Sequence, residues 1–226
     1  LLTLTGKRGN YCNSQRARRN LKRLKPFMVK KSDGWHIKDI VLPLLEKDYE
    51  NLLINSIFED TYWSYVSCDD KYDEQTFDMC DKFLPEGLYG LVNEKVNVTV
   101  QPGDIVIDAG SWIGDFAAYA SVRGAHVYAF EPSDRTFQLL EHTAELNGNI
   151  IPVKKGLSDV GTTKKFFTNV AGNSSGDGLR ITRDNPDSPK TTYQIETIRL
   201  DDFVRENNLE RVDFIKCDIE GFERHM

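Results

Sequence analysis

With 226 residues, 39% of them hydrophobic and 28% charged, the chain has the composition of a folded globular protein that buries one good core with room for an appended element. Its 35 acidic residues against 29 basic ones give a net charge of −6, which favours solubility and leaves the fold open. No apolar run of about 18 residues occurs, which excludes an obvious transmembrane helix.

The chain opens Leu1-Leu2-Thr3-Leu4 and then turns basic, the reverse of the charge order in a secretory leader. It lacks an initiator Met, so the sequence is expected to begin inside a longer one. Between Leu1 and Lys31 there are ten Lys or Arg and no acid, whereas Glu46 to Glu86 holds twelve acids against three lysines. Ser14 to Phe27 reads as a basic helix, closed or kinked by Pro26. It lacks the interleaved aromatics that stack on bases, which disfavours nucleic acid and leaves a solvated, charge-balancing helix as the simpler reading. From Ile37 to Phe58 the apolar spacing predicts helix, interrupted near Pro43. The stretch holding Tyr62, Trp63, Tyr65, Tyr72, Phe77 and Phe83 is too aromatic for a disordered acidic tail and is expected to pack. Residues 1–90 are therefore expected to form a helical or irregular N-terminal region, and residues 91–226 a second domain.

Gln101-Pro102-Gly103-Asp104 is a turn signal, and after it the pattern changes. Strands are expected at Ile105–Ile107, His126–Phe130, Ile150–Val153 and Tyr193–Leu200, with a last buried strand at Val212–Ile219. Helices are expected at Trp112–Val122 and Ser133–Leu146, the second with Ser133 as its N-cap and Asn147-Gly148 as its stop. Such alternation predicts an α/β fold with a parallel sheet and right-handed crossovers. The four cysteines, Cys12, Cys68, Cys80 and Cys217, form no C-x-x-C pair, so a zinc knuckle has no support and a reducing cytoplasm is the simpler setting. Cys217, inside an apolar run, reads as a small core residue. The N-x-S/T triplets at Asn97 and Asn173 carry little weight.

The chemistry is expected at Asp108-Ala109-Gly110-Ser111-Trp112-Ile113-Gly114, which follows an apolar strand and opens a helix. In an open parallel sheet, ligands bind outside the carboxyl ends of strands where the strand order reverses. Gly110 permits a tight turn and close approach to the backbone, and Gly114 close packing of helix on strand. Free amides at the helix start are suited to the carboxylate end of a ligand. A dinucleotide fold needs G-x-G-x-x-G around a pyrophosphate. Here Asp108 stands in the first position, where it repels a pyrophosphate but attracts an ammonium, so the spacing argues for a zwitterionic amino-acid cofactor over NAD. Glu131 ends the second strand, placed to accept ribose hydroxyls; the alternative is a cap for the turn before Pro132 and Ser133. Asp218 and Glu220 end the last strand, two residues apart and so on one side of it.

In this order, Pro102 to Gly114 (PGDIVIDAGSWIG), Ala125 to Ser133 (AHVYAFEPS), Gly156 to Asp159 (GLSD) and Ile215 to Glu223 (IKCDIEGFE) resemble the FkbM family of methyltransferases. The resemblance covers residues from about 101 to 226. It implies a Rossmann-like class I methyltransferase sheet, S-adenosyl-L-methionine as cofactor, and a hydroxyl on a sugar, polyketide or related metabolite as acceptor. By the same resemblance Gly110 and Gly114 shape the cofactor loop, with Asp108, Ser111 and Trp112 in it, and Glu131 holds the ribose. Leu157, Ser158 or Asp159 lies beside the adenine, and Asp218 with Glu220 faces the methyl-transfer centre. The family usually carries Asn where this chain has Trp112. The chain also stops at Met226, where class I enzymes continue, so either the sequence is truncated or the missing strands are supplied otherwise.

An alcohol acceptor must lose a proton, and a carboxylate is a reasonable base, so Asp218 or Glu220 is the expected catalytic residue, with His225 and His142 as outsiders. Two oxygen ligands alone do not define a metal site. The competing class is a non-catalytic binding module, with the cofactor fold retained and the basic N-terminal segment on nucleic acid, a lipid surface or a partner protein.

Overall fold

Residues 28–37, 39–45, 100–169, 190–219 and 222–226 are described in the computed structural model. Two units divide them: Leu1–Asp39 with Leu44–Val98, and Ile40–Pro43 with Thr99–Met226. In the first, β1 (Met28–Lys30) and β2 (Trp35–Ile37) form an antiparallel hairpin, Met28 opposite Ile37 and Lys30 opposite Trp35. The turn is closed by the amide of Lys31 donating to the carbonyl of Gly34 at 2.8 Å. His36 Nε2 lies 2.9 Å from Asp33 Oδ1, and this hydrogen bond holds the Asp33 carboxyl below its usual range.

Within the expected helical or irregular N-terminal region the described residues include these two strands and, in the second unit, β3 (Ile40–Leu42), where helix was expected from Ile37 on. Ile40 and Val41 are β-branched, which favours strand over helix, and Pro43 restricts the residue before it to extended geometry. The expected basic helix at Ser14–Phe27, the rest of the Ile37–Phe58 helix beyond Leu45, and the aromatic stretch lie outside the described residues.

The second unit continues with β4 (Ile105–Ala109), α1 (Asp115–Val122), β5 (His126–Phe130), α2 (Asp134–Asn147) and β6 (Ile150–Val153). Then come β7 (Gly156–Leu157), β8 (Thr163–Asn169), β9 (Lys190–Ile198), α3 (Leu200–Glu206) and β10 (Phe214–Cys217), with a 3₁₀ turn at Glu223–His225. The main sheet is parallel in the order β10-β4-β5-β6, as expected of a Rossmann-like α/β fold. The chain builds outward from β4 to β6 and then returns to the far side of β4, so the order reverses between β4 and β10. In open parallel sheets such a reversal is where ligands bind, beyond the carboxyl ends of the strands.

One face of this sheet carries Ile107, Ala109 and Phe130, buried with Leu157, Ile198 and Phe203. Phe203 meets Phe130 edge-on, with ring centroids 4.8 Å apart. Phe116 of α1 stacks on Phe214 of β10 at 5.9 Å. The alanines Ala117, Ala118 and Ala120 are fully buried, small enough to let α1 be enclosed on nearly every side. On α2, Asn147 behaves like a strand neighbour: the amide of Val41 donates to its Oδ1 at 2.9 Å, and its Nδ2 donates to the carbonyl of Val41 at 2.7 Å.

Several elements differ from the sequence reading. A second sheet, β7-β9-β8, pairs β8 and β9 antiparallel, and α3 follows it where only a strand end was expected. The last strand is half-exposed rather than buried, because β10 is the outer strand of the main sheet among the described residues and Ile215 is 46% exposed. Helix α1 begins at Asp115, three residues later than expected, since Trp112 (φ 50°) and Gly114 (φ 85°) are left-handed. Among the described residues no helix is long and apolar enough to cross a membrane.

The reason for glycine at 114 is also corrected. A Cβ there would sit 2.7 Å from Leu140 Cδ1 and 3.0 Å from Thr143 Cγ2, so glycine serves contact with α2 rather than with a strand. Gly114→Ala is therefore expected to destabilise the protein by about 2 kcal/mol or more, from the left-handed φ together with overpacking. The midpoint of guanidinium unfolding measures it; an unshifted midpoint contradicts this account of the contact.

Candidate functional site

Parallel register sets the site. Ala109 lies opposite Phe130 on one side and Cys217 on the other, so Gly110, Glu131 and Asp218 each leave the carboxyl end of one of three adjacent strands. Asp108 stands one residue inside β4, level with Ala129 and Lys216. Asp108, Glu131 and Asp218 are therefore brought to one edge of one sheet. Glu220 lies outside the described residues.

The turn after β4 is held by its neighbours on both sides. The amides of Gly110 and Ser111 both donate to the carbonyl of Phe130, at 3.0 and 2.9 Å. Ser111 Oγ donates to the backbone carbonyl of Asp108 at 2.7 Å, and Lys216 Nζ donates to the carbonyl of Gly110 at 2.7 Å. A Cβ on Gly110 would lie 1.9 Å from the carbonyl oxygen of Asp218, so glycine is required by the passing backbone of the segment after β10. The amide of Asp218 donates in turn to the carbonyl of Ala109 at 3.0 Å, extending the ladder past β10. Of the amides expected to be free at the helix start, those of Trp112 and Gly114 are bonded within the protein, as are those of Gly110 and Ser111 before them.

Two buried carboxylates dominate the electrostatics. Asp108 is fully buried, and neither carboxylate oxygen has a hydrogen-bond donor among the described residues. Lys216 Nζ stands 3.2 Å from Oδ1 as an ion pair, and Lys216 and Ser111 both act to lower the Asp108 pKa. Desolvation pushes the Asp108 pKa up and the charge of Lys216 opposes it, while Asp115, buried in the first turn of α1, adds to the rise. Glu131 Oε2 accepts the amide of Trp112 at 3.0 Å, and Oε1 accepts the amide of Ser133 at 2.9 Å. Burial raises the Glu131 pKa from 4.5 to about 7 despite these bonds, a side-chain bond from Thr136 and the charge of Lys216. Through its bond to Trp112, Glu131 also ties down the left-handed residue of the loop, a conformation that disfavours side chains with a Cβ. Ser133 is the N-cap of α2, as expected, but makes no side-chain capping bond.

Past β6, Ser158 is buried and Asp159 exposed. Ser158 Oγ donates to Asp159 Oδ1 at 2.9 Å, which holds the Asp159 carboxyl below its usual range, with Lys164 and His225 adding to the effect. Lys164 Nζ lies 3.4 Å from Asp159 Oδ1 and 4.8 Å from the centre of the Phe222 ring, and Phe222 packs at 4.5 Å on His225. His225 Nδ1 is 3.8 Å from Asp159 Oδ2. The GLSD segment and the end of the chain thus meet around Asp159, whereas His142 is exposed on α2. Cys217 is half-buried beside Met226, its Sγ 3.3 Å from the Met226 sulfur. Burial pushes its thiol up to about 11, which makes it a poor nucleophile.

Lys216 and Lys164 were missed by the sequence reading. The signal for Lys216 was present: it is the one charge between Phe214 and Cys217, in a strand read as otherwise apolar. Lys164 carried no local signal, because its place beside Asp159 comes from the fold of β8.

The sequence model of the methyltransferase FkbM domain matches residues 108–226. The hexuronic acid methyltransferase AglP of Haloferax volcanii is 31% identical over 122 residues, covering 53% of this chain and 47% of that protein. Methyltransferase 1 of Beauveria bassiana is 28% identical over 152 residues, 58% of this chain and 61% of that protein. Methyltransferase sdnD of Sordaria araneosa is 30% identical over 147 residues, 52% and 57% of the two chains. The chain spans about half to three fifths of the length of these relatives.

Glu131 generates a prediction with a definite sign. Its folded pKa of about 7 lies above the ordinary 4.5, so between those values the folded state holds the extra proton. Its contribution is fully present below the lower value and is lost as pH rises through the upper one. Relative to Glu131→Gln, the wild-type protein is expected to lose up to about 3 kcal/mol of stability between pH 5 and pH 8. Urea unfolding across that range measures the difference; parallel curves contradict it.

Proposed function

The chain belongs to the FkbM methyltransferase domain family, and on that premise we propose that it transfers a methyl group from S-adenosyl-L-methionine to a hydroxyl oxygen of a sugar, polyketide or similar metabolite. The observation that carries the cofactor reading is Asp108: a carboxylate at the reversal of strand order, buried, with both oxygens lacking hydrogen-bond donors. An ammonium supplies N–H donors and a positive charge to such a group, whereas a pyrophosphate is repelled by it. The residues present therefore fit an amino-acid-bearing nucleoside better than a dinucleotide.

In this reading Asp108 faces the ammonium end, and Gly110, Ser111, Trp112 and Gly114 shape the loop around it. Glu131 accepts the ribose hydroxyls beside the amides of Trp112 and Ser133 that it already holds. Ser158 and Asp159 border the adenine. When bound, the cofactor supplies a methyl carbon already activated by its sulfonium. The protein's remaining task is to hold the acceptor oxygen in line and remove its proton. In this reading the second task falls to Asp218, which follows the last strand beside the glycine turn, and Glu220 shares the assignment from its position in the sequence. A small-molecule or glycan hydroxyl as acceptor is in keeping with the name of the Haloferax relative.

Calorimetry with S-adenosylhomocysteine tests the cofactor reading: the wild-type protein is expected to bind, and Glu131→Ala to bind roughly tenfold more weakly or worse, the worth of one charge-assisted hydrogen bond. Unchanged affinity removes the ribose assignment. For the base, Asp218→Asn is expected to lower methyl transfer from radiolabelled cofactor to a panel of hexuronates and other hydroxylated acceptors by about 10²–10⁴-fold. Cofactor affinity should stay nearly constant, and retained turnover rules Asp218 out.

A further inference from the structure

A lysine in the middle of a short hydrophobic strand is costly, because its ammonium must be desolvated or find partners. Lys216 is such a residue: its side chain is 16% exposed, and its Nζ reaches two groups, the carbonyl of Gly110 at 2.7 Å and Asp108 Oδ1 at 3.2 Å. Both partners belong to the strand and turn that shape the proposed cofactor loop. The Gly110 residue is thereby fixed from either side, its amide by Phe130 of β5 and its carbonyl by Lys216 of β10. Lys216 also acts on Glu131 across the site, while Asp115 adds negative charge beside Asp108. Among the described residues the site thus gathers three buried acids, Asp108, Asp115 and Glu131, with Lys216 beside the first.

We propose that Lys216 is a positioning residue for the amino-acid end of the cofactor: it clamps the Gly110 carbonyl and, from 3.2 Å, holds the Asp108 carboxyl group oriented toward the incoming ammonium. This rests on the cofactor reading given above. A lysine that merely fills space in β10 would affect every ligand of the site alike, whereas one acting through Asp108 affects only ligands that carry the ammonium.

The test compares two probes by calorimetry on the full chain: S-adenosylhomocysteine, which has the amino-acid end, and 5′-methylthioadenosine, which lacks it. Lys216→Met is expected to weaken S-adenosylhomocysteine at least about tenfold and to leave 5′-methylthioadenosine within about twofold of wild type. Equal affinities for both probes in variant and wild type, or equal losses of both, overturn the proposal. Should Lys216→Met leave Asp108 uncompensated and fail to fold, Lys216→Met with Asp108→Asn removes both charges together. That double variant is expected to keep 5′-methylthioadenosine and lose S-adenosylhomocysteine, and undiminished binding of the latter again overturns the proposal. Wild-type protein that binds neither probe sinks the cofactor reading and this inference with it; wild-type protein that binds both, with an indifferent variant, sinks the inference alone.

Discussion

The backbone after β10 passes so close to residue 110 that a hydrogen atom is all that fits there. A Cβ would stand 1.9 Å from the carbonyl oxygen of Asp218, far inside any real contact. Because that oxygen belongs to backbone, no rotamer change relieves the clash. The contact lies where strand order reverses, between β4 and β10, and it draws together two segments separated by more than a hundred residues of sequence. Asp218, the glycine turn and, through its bond to the Gly110 carbonyl, Lys216 all take their places from this one approach.

Around it the protein concentrates charge in a poorly solvated place. Asp108, Asp115 and Glu131 are all buried, and burial raises the pKa of both Asp108 and Glu131. Folding alone does not favour such an arrangement, since a buried carboxylate gives up hydration that its partners must replace. Glu131 recovers two amide bonds, Asp108 an ion pair. That difference separates their roles: Glu131 is embedded in the loop it supports, whereas Asp108 retains unmet demand for a donor. Perturbed acids gathered at a strand edge are a common mark of a working site.

Membership of the FkbM family and this geometry bear on different questions. The family match, over residues 108–226, gives the family of the domain. The strand tips give its local chemistry: buried acids gathered at one sheet edge beside a glycine bend. Trp112 is left-handed, a conformation that disfavours side chains with a Cβ. Trp is held in it here with its amide on Glu131, so the buried acid fixes the local geometry that the side chain does not favour.

Short-range pattern was enough to read much of the second unit. Strands at His126–Phe130 and Ile150–Val153, the helix ending at Asn147, and the turn at Gln101–Asp104 all follow from apolar runs bounded by Gly, Asn and Pro. The carboxylates at the tips were legible for the same reason, since each directly ends such a run. The strand at Ile40–Leu42 was not, because Ile40 and Leu44, four apart, satisfy a helical pattern as well, and only tertiary structure chooses between them. The antiparallel pairing of β8 with β9 escaped for a related reason: strand partners are set by register across the sheet, and no local signal encodes it. Sequence by itself determined which residues end the strands and carry charge. Tertiary structure alone decided that Lys216 lies level with Asp108, that Gly114 answers to α2, and that Lys164 meets Asp159, because each depends on atoms brought near by neighbours remote along the chain.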